Sequence, residues 1–237
     1  LLGISSGAGV CVVIMFSLNV LSQWIPLGAW FGAIFSALIV FYIAYDRSNI
    51  SLERLILSGV AVSSILGSIQ AVFLLRSDDT RIQNSLTWLS GTLAGRDWSD
   101  LSFTWLPIVV CLCSALLFAK QLNLGLLDDD TSQILGLSLT KLRISIGILA
   151  TILTACSVCI AGLVGFVGLV IPHIARLICG NNFIYVLPFS GILGAIAVLT
   201  GDLIARVYLW ELPVGIVTAI FGSPFFVYLL RKRLRQV

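Results

Sequence analysis

The chain has 237 residues; 59% are hydrophobic, 11% are charged, and the mean hydropathy is +1.08. An average soluble domain carries about 25% charged residues, and 14 Lys+Arg with 11 Asp+Glu cannot cover the water-facing surface of a soluble globule of this size. A net charge of +3 supplies no basic face for nucleic acid, and the abundance of Leu, Ile, Val and Phe excludes a disordered chain; an integral membrane protein remains.

The chain opens on Leu1-Leu2-Gly3 without an initiator Met or a charged n-region. It therefore does not begin with a signal peptide, and it reads as starting inside a longer protein. A transmembrane helix needs about 20 mostly apolar residues. Six segments meet this readily: 4–21, 27–45, 55–75, 101–119, 187–205 and 213–230. The stretch 142–179 is too long for one helix and carries Gly162, Gly165 and Gly168. It reads as two spans, 142–161 and a short one at 165–179, joined by a tight glycine turn. The expected fold is all-α: a polytopic helix bundle with about eight transmembrane helices, forming one domain over 1–237.

Positive charge tests that count, because cytoplasmic loops carry excess Lys and Arg. The tail Arg231-Lys232-Arg233-Leu234-Arg235 marks the C-terminus as cytoplasmic. Eight spans then put Arg47, Arg54, Lys120, Lys141, Arg143, Arg176 and the tail inside, ten of the 14 positive residues. Arg76, Arg81, Arg96 and Arg206 fall outside. Seven spans would move Arg47, Arg54, Lys120, Lys141 and Arg143 to the wrong side.

Two loops are too long for plain connectors. The outer segment 76–100 holds an apolar middle, Leu86 to Gly95, too short to span and flanked by Trp88 and Trp98. It reads as an interfacial helix over the bundle, or as a rim over an outward-facing cavity. The inner segment 120–141 contains Leu126-Leu127-Asp128-Asp129-Asp130-Thr131, then Ile134-Leu135-Gly136. Asp130 or Thr131 can N-cap a short helix and Gly136 can end it. The apolar residues are then available to dock a cytoplasmic partner.

The six cysteines lie in apolar runs. Cys156 and Cys159 have half-site spacing, but no second pair or His accompanies them, so they read as packing residues. No metal or cofactor is expected. His173 follows Pro172 and reads as a structural hydrogen-bonding residue. Asp202 and Arg206 are one helical turn apart and can pair. Gly3 with Gly7, Gly28 with Gly32, and Gly91 with Gly95 have helix-packing spacing. The chain has no phosphate loop, no nucleophile elbow and no His-Glu-x-x-His, so neither ATP chemistry nor these hydrolase mechanisms reside here.

Longer strings carry a resemblance. They are Leu2-Gly3-Ile4-Ser5-Ser6-Gly7-Ala8-Gly9, Leu135-Gly136-Leu137, Gly165 through Arg176, Gly201-Asp202-Leu203-Ile204-Ala205-Arg206, and Glu211 through Ala219 with Gly222-Ser223-Pro224-Phe225-Phe226. Over essentially its whole length the chain resembles FecCD-type permease subunits of bacterial ABC importers, which take up iron-siderophores, haem and vitamin B12. That family has ten helices with both ends cytoplasmic, so the resemblance implies that the first two are missing here. It implies a non-enzymatic, multi-pass subunit in the cytoplasmic (inner) membrane, surrounded by lipid and without nucleic acid. Its implied partners are cytoplasmic ATP-binding subunits, an extracytoplasmic substrate-binding protein and a second permease, identical or paralogous.

The resemblance also implies three sites. Leu126, Leu127, Asp128, Asp129, Asp130, Thr131, Ile134, Leu135 and Gly136 would form the loop that couples to the ATPase. Arg206 would dock the binding protein through a glutamate. Ser51 and Leu52 match a region closing the pathway on the cytoplasmic side, where Glu53 departs from the neutral residue of some relatives. Two other classes compete with an ABC permease: an ion-coupled secondary transporter, which needs polar ion sites near the midplane, and an intramembrane enzyme.

Overall fold

The structure is a computed structural model; it describes residues 3–46, 49–126, 131, 134, 136, 138–208 and 212–234. The helices are α1 (Ile4–Ser17), α2 (Ile25–Ala44), α3 (Leu52–Leu75), α4 (Asp79–Leu89), α5 (Trp98–Ser102), α6 (Trp105–Leu117), α7 (Ala119–Leu124), α8 (Leu139–Ala161), α9 (Val167–Cys179), α10 (Phe183–Tyr208) and α11 (Val214–Leu234). A two-residue antiparallel pair, β1 (Tyr45–Asp46) with β2 (Asn49–Ile50), joins α2 to α3. The all-α reading holds, with this small hairpin as an addition.

Each of the eight apolar segments coincides with a helix. Four helices, α2, α3, α8 and α10, are long and apolar enough to cross a bilayer. Apolar stretches in α1, α6, α9 and α11 are shorter; α9, with 13 residues, extends about 20 Å. Several expected bounds shift for local reasons. The first helix ends at Ser17, not 21, because Asn19 takes a left-handed backbone (φ 56°) that Asn tolerates. The fourth apolar segment begins at Trp105, after a separate turn of helix in α5.

Packing within the bundle inverts the soluble pattern. The largest fully buried side chains include Val12, Val13, Val40 and Val214, whereas Leu57 is 72% and Phe31 63% exposed. Lipid tails are as apolar as Leu, so helices in a membrane associate through small residues that let backbones approach. At the α1–α2 crossing, a methyl on Gly7 would collide with the Gly32 carbonyl and Ser36. The Ser36 hydroxyl donates to the Ala33 carbonyl at 2.9 Å, so this buried polar group is satisfied in place. Ala8, Ala29, Ala33 and Ala155 continue the same close core.

The turn in 142–179 lies where expected. The positive φ values fall on Gly162 (69°) and Phe166 (64°) rather than on Gly165 or Gly168. A bulky residue in that region is strained. The Phe166 side chain lies against Gly222 of α11, where a methyl would meet its Cβ.

Candidate functional sites at the two ends of the bundle

Interactions between distant segments sort the loops into two groups, one at each end. At the first end Arg81 Nη1 donates to the Ser17 carbonyl at 2.6 Å. There Thr92 N–H donates to the Ala161 carbonyl at 2.8 Å, and Gly215 N–H to the Gly91 carbonyl at 3.2 Å. At the second end Asn123 Nδ2 donates to Asn182 Oδ1, and Phe183 N–H donates to Asn123 Oδ1, each at 2.8 Å. Ile144 of α8 packs with Val40, Ala44 and Leu55 beside the hairpin. The first end gathers loops that carry Arg81, Arg96 and Arg206; the second gathers those that carry Arg54, Lys120, Lys141 and Arg176. This is the division of positive charge used to orient the chain.

The first end is built around a backbone knot. The end of α4, the end of α8 and the start of α11 meet there. A methyl on Gly162 would strike the Trp88 carbonyl, and one on Gly215 would strike the Ser90 and Leu163 carbonyls. The expected helix of segment 76–100 is α4 (Asp79–Leu89), and it does not cover the whole apolar stretch 86–95. The first four residues of that stretch end α4, and residues 90–97 are non-helical. Trp88 is 6% exposed, and Trp98 is 87% exposed. Within this stretch Trp88 and Gly91 pack inward, whereas Leu86 is 50% exposed and Ala94 and Gly95 face outward.

Arg206 lies at this end, near the end of α10. Its Nε donates to Asp202 Oδ2 at 2.7 Å and its Nη2 to the Leu93 carbonyl at 3.3 Å. The expected ion pair is present, and the Leu93 contact is one no spacing rule could reveal. The pair is partly solvent-exposed, with side-chain exposures of 50% for Arg206 and 19% for Asp202.

At the second end, Leu126 and Ile134 are 56% and 85% exposed. Thr131 is also exposed, and Gly136 has φ 81°, the conformation that suits a helix end. Leu127, Asp128, Asp129, Asp130 and Leu135 lie outside the described residues. Ser51 is the N-cap of α3, its hydroxyl accepting from Arg54 N–H at 3.3 Å, and Leu52 is the first helical residue. Asn123, which immediately precedes this loop, was not singled out from the sequence. Its only sign there is a polar side chain at the end of an apolar span.

Two smaller expectations resolve differently. Cys156 and Cys159 are buried, and the Cys159 thiol donates to the Pro26 carbonyl at 3.0 Å, so they help pack α8 on α2. His173 is half-buried and makes no hydrogen bond among the described residues. Of the small-residue pairs, Gly7 and Gly32 pack closely, but Gly95 faces open space.

The profile of the FecCD transport family matches residues 1–232. This chain belongs to the FecCD transport family. Relatives include the cobalamin import system permease protein BtuC of Halobacterium salinarum, 37% identical over 235 residues (98% of this chain, 63% of its own length). The Fe(3+)-citrate import system permease protein YfmD of Bacillus subtilis is 38% identical over 235 residues (97% and 69%). The hemin transport system permease protein HmuU of Yersinia pestis is 34% identical over 245 residues (100% and 73%). A metal-chelate-type ABC transporter solved in an inward-facing conformation superposes with a TM-score of 0.90 at 29% identity, over 98% of this chain and 74% of that one. The chain thus spans under two thirds of the length of the first of these relatives. FecCD membership makes it a multi-pass protein of the cytoplasmic membrane, and its helices α2, α3, α8 and α10 have the length and composition for that.

Proposed function

We propose that this chain forms the membrane permease of an ABC importer for a metal chelate, an iron-siderophore foremost, with haem and cobalamin as neighbouring classes. The observation that carries this reading is the whole-chain FecCD match, together with relatives named for ferric citrate, hemin and cobalamin import. Because those relatives are import-system permeases, they do not favour the ion-coupled secondary transporter.

In this reading the permease does no bond chemistry; ATP is hydrolysed in separate cytoplasmic subunits. Its task is to hold two arrangements of helices and to be biased between them by partners that bind one arrangement better. The loop from Leu126 to Gly136 receives the ATPase, and the exposure of Leu126 and Ile134 suits a docking surface. Arg206 receives an acidic side chain of the binding protein. The α3 start at Ser51 and Leu52 belongs to the inner closure. A second permease completes the pathway.

The test is to co-express the chain with the neighbouring ATPase and binding-protein reading frames and to follow uptake of a radiolabelled ferric siderophore. Uptake should stop when the ATPase phosphate-loop lysine is replaced. Uptake that survives that change but collapses with the proton gradient would overturn the reading.

A further inference from the structure

At the Arg206 end the bundle holds a cavity of about 380 Å³ with a partly polar wall. It lies between the end of α1, the start of α2, α4 and the 92–96 loop, and its polar lining residues are Arg96, Asn84, Thr87 and Thr92. None of the lining residues is acidic. Arg96 makes no hydrogen bond or ion pair among the described residues, and its Nε is buried without a partner. A guanidinium is always charged and offers five donors in a planar fork. Such a group left unpaired at a cavity wall is short of an anion.

The rest of the wall fits the same chemistry. The Asn84 amide has no partner among the described residues, so it can donate. The Thr92 oxygen accepts from Ala94 N–H at 3.1 Å, which leaves its hydroxyl proton available. Asp97 and Asp100 follow Arg96 in the chain, but neither lines the cavity, and Asp100 Oδ2 accepts from Asp97 N–H at 3.2 Å to cap α5. Arginine with flanking donors suits a planar or tetrahedral oxyanion held through two parallel bonds.

The surroundings indicate where that oxyanion comes from. Phe16, Ile25 and Pro26 form an apolar side of the same cavity. Trp24, Trp98 and Trp105, at 51%, 87% and 52% exposure, lie at this end of the bundle, where indole rings favour the headgroup level of a bilayer. We propose that this cavity is a phospholipid subsite: Arg96 and Asn84 hold the headgroup phosphodiester, and the glycerol side rests on Phe16, Ile25 and Pro26. The proposal does not depend on which chelate is carried.

Native mass spectrometry of the full chain in detergent tests it. The probes are phosphatidylglycerol, a diacylglycerol with the same acyl chains, and sodium phosphate alone. One phosphatidylglycerol per chain should be retained, with diacylglycerol binding about tenfold weaker, as the loss of a charge-assisted contact implies. Arg96→Gln should lower phosphatidylglycerol affinity about tenfold, while Arg76→Ala, exposed at the same end, should change it less than about twofold. Should Arg96→Gln not fold, Asn84→Asp places a carboxylate at the same wall and should also release the lipid. Unchanged lipid retention in either folded variant overturns the site. Sodium phosphate bound as tightly as the lipid, or an Arg96→Gln loss seen only in affinity for the soluble binding protein, overturns the lipid assignment.

Discussion

Asp202 Oδ2 holds Arg206 Nε at 2.7 Å across one turn of α10, while Arg206 Nη2 reaches the Leu93 carbonyl at 3.3 Å. The two contacts fix the guanidinium from its own helix and from the 90–97 loop. As a half-exposed pair it stabilises the fold by at most about 1 kcal/mol. In the proposed docking of the binding protein, its contribution would be one of orientation. Arg206→Glu should weaken binding-protein docking at least about tenfold, since it sets like charges face to face. Asp202→Asn should lower stability by about 1 kcal/mol or less. Surface plasmon resonance and thermal unfolding of the purified protein read the two effects, and an unaltered docking affinity in Arg206→Glu would remove Arg206 from the site.

The knot at Gly91, Gly162 and Gly215 predicts an intolerance that spacing alone does not. Gly162→Ala adds a Cβ at a positive φ and against the Trp88 carbonyl, so it should cost about 1–3 kcal/mol or more. Gly215→Ala has ordinary backbone but collides with two carbonyls, and should cost about as much by overpacking. Gly165→Ala meets open space and should lie within about 0.5 kcal/mol of wild type. Equal melting temperatures for Gly162→Ala and Gly165→Ala in detergent would contradict the close approach.

A sign change should separate two glycines on neighbouring helices. Gly7→Ala forces α1 away from α2 at Gly32 and Ser36 and should destabilise by about 1–3 kcal/mol. Gly67, inside α3, has nothing within 4 Å. There Ala adds helix propensity without a clash and should stabilise by about 0.5–1 kcal/mol. Thermal unfolding of the two variants side by side checks both signs.

Coupling to the ATPase should depend on apolar contact at the second end. With Leu126, Leu127 and Ile134 all changed to Ser, ATP hydrolysis by the assembled complex should persist while uptake falls at least about tenfold, as expected when several apolar anchors of a docking interface are lost. Transport at the wild-type rate would mean that this loop is not the dock. Asn123→Ala, by contrast, removes both hydrogen bonds that tie α7 to the start of α10. It should lower stability by about 1–2 kcal/mol and leave ATPase binding in place, which a pull-down with the ATPase subunit measures.

Much of the architecture was legible along the chain, because hydropathy and charge act locally in a membrane. Twenty or so apolar residues demand a helix wherever they occur, and the expected orientation rests on the positions of Arg231, Lys120 and Arg206 alone. Likewise the Asp202–Arg206 pair follows from spacing on one helix. Gly162 marked the break between α8 and α9, although the second strained residue proved to be Phe166.

The remainder needed the third dimension. Leu86 to Gly95 is apolar, and from composition alone a helix lying in the interface and a segment packed inward look alike. Only the meeting of Gly91 with Gly162 and Gly215 shows where this stretch turns into the bundle, because backbone-to-backbone contact between remote segments leaves no periodic trace. The same holds for Asn123 with Asn182, and for Arg96, whose charge was visible but whose unpaired state was not. Sequence by itself determined that the chain crosses a membrane, since each span meets lipid independently. Tertiary structure alone decided which polar groups find partners and which are left facing a cavity, since that depends on what the other helices bring alongside.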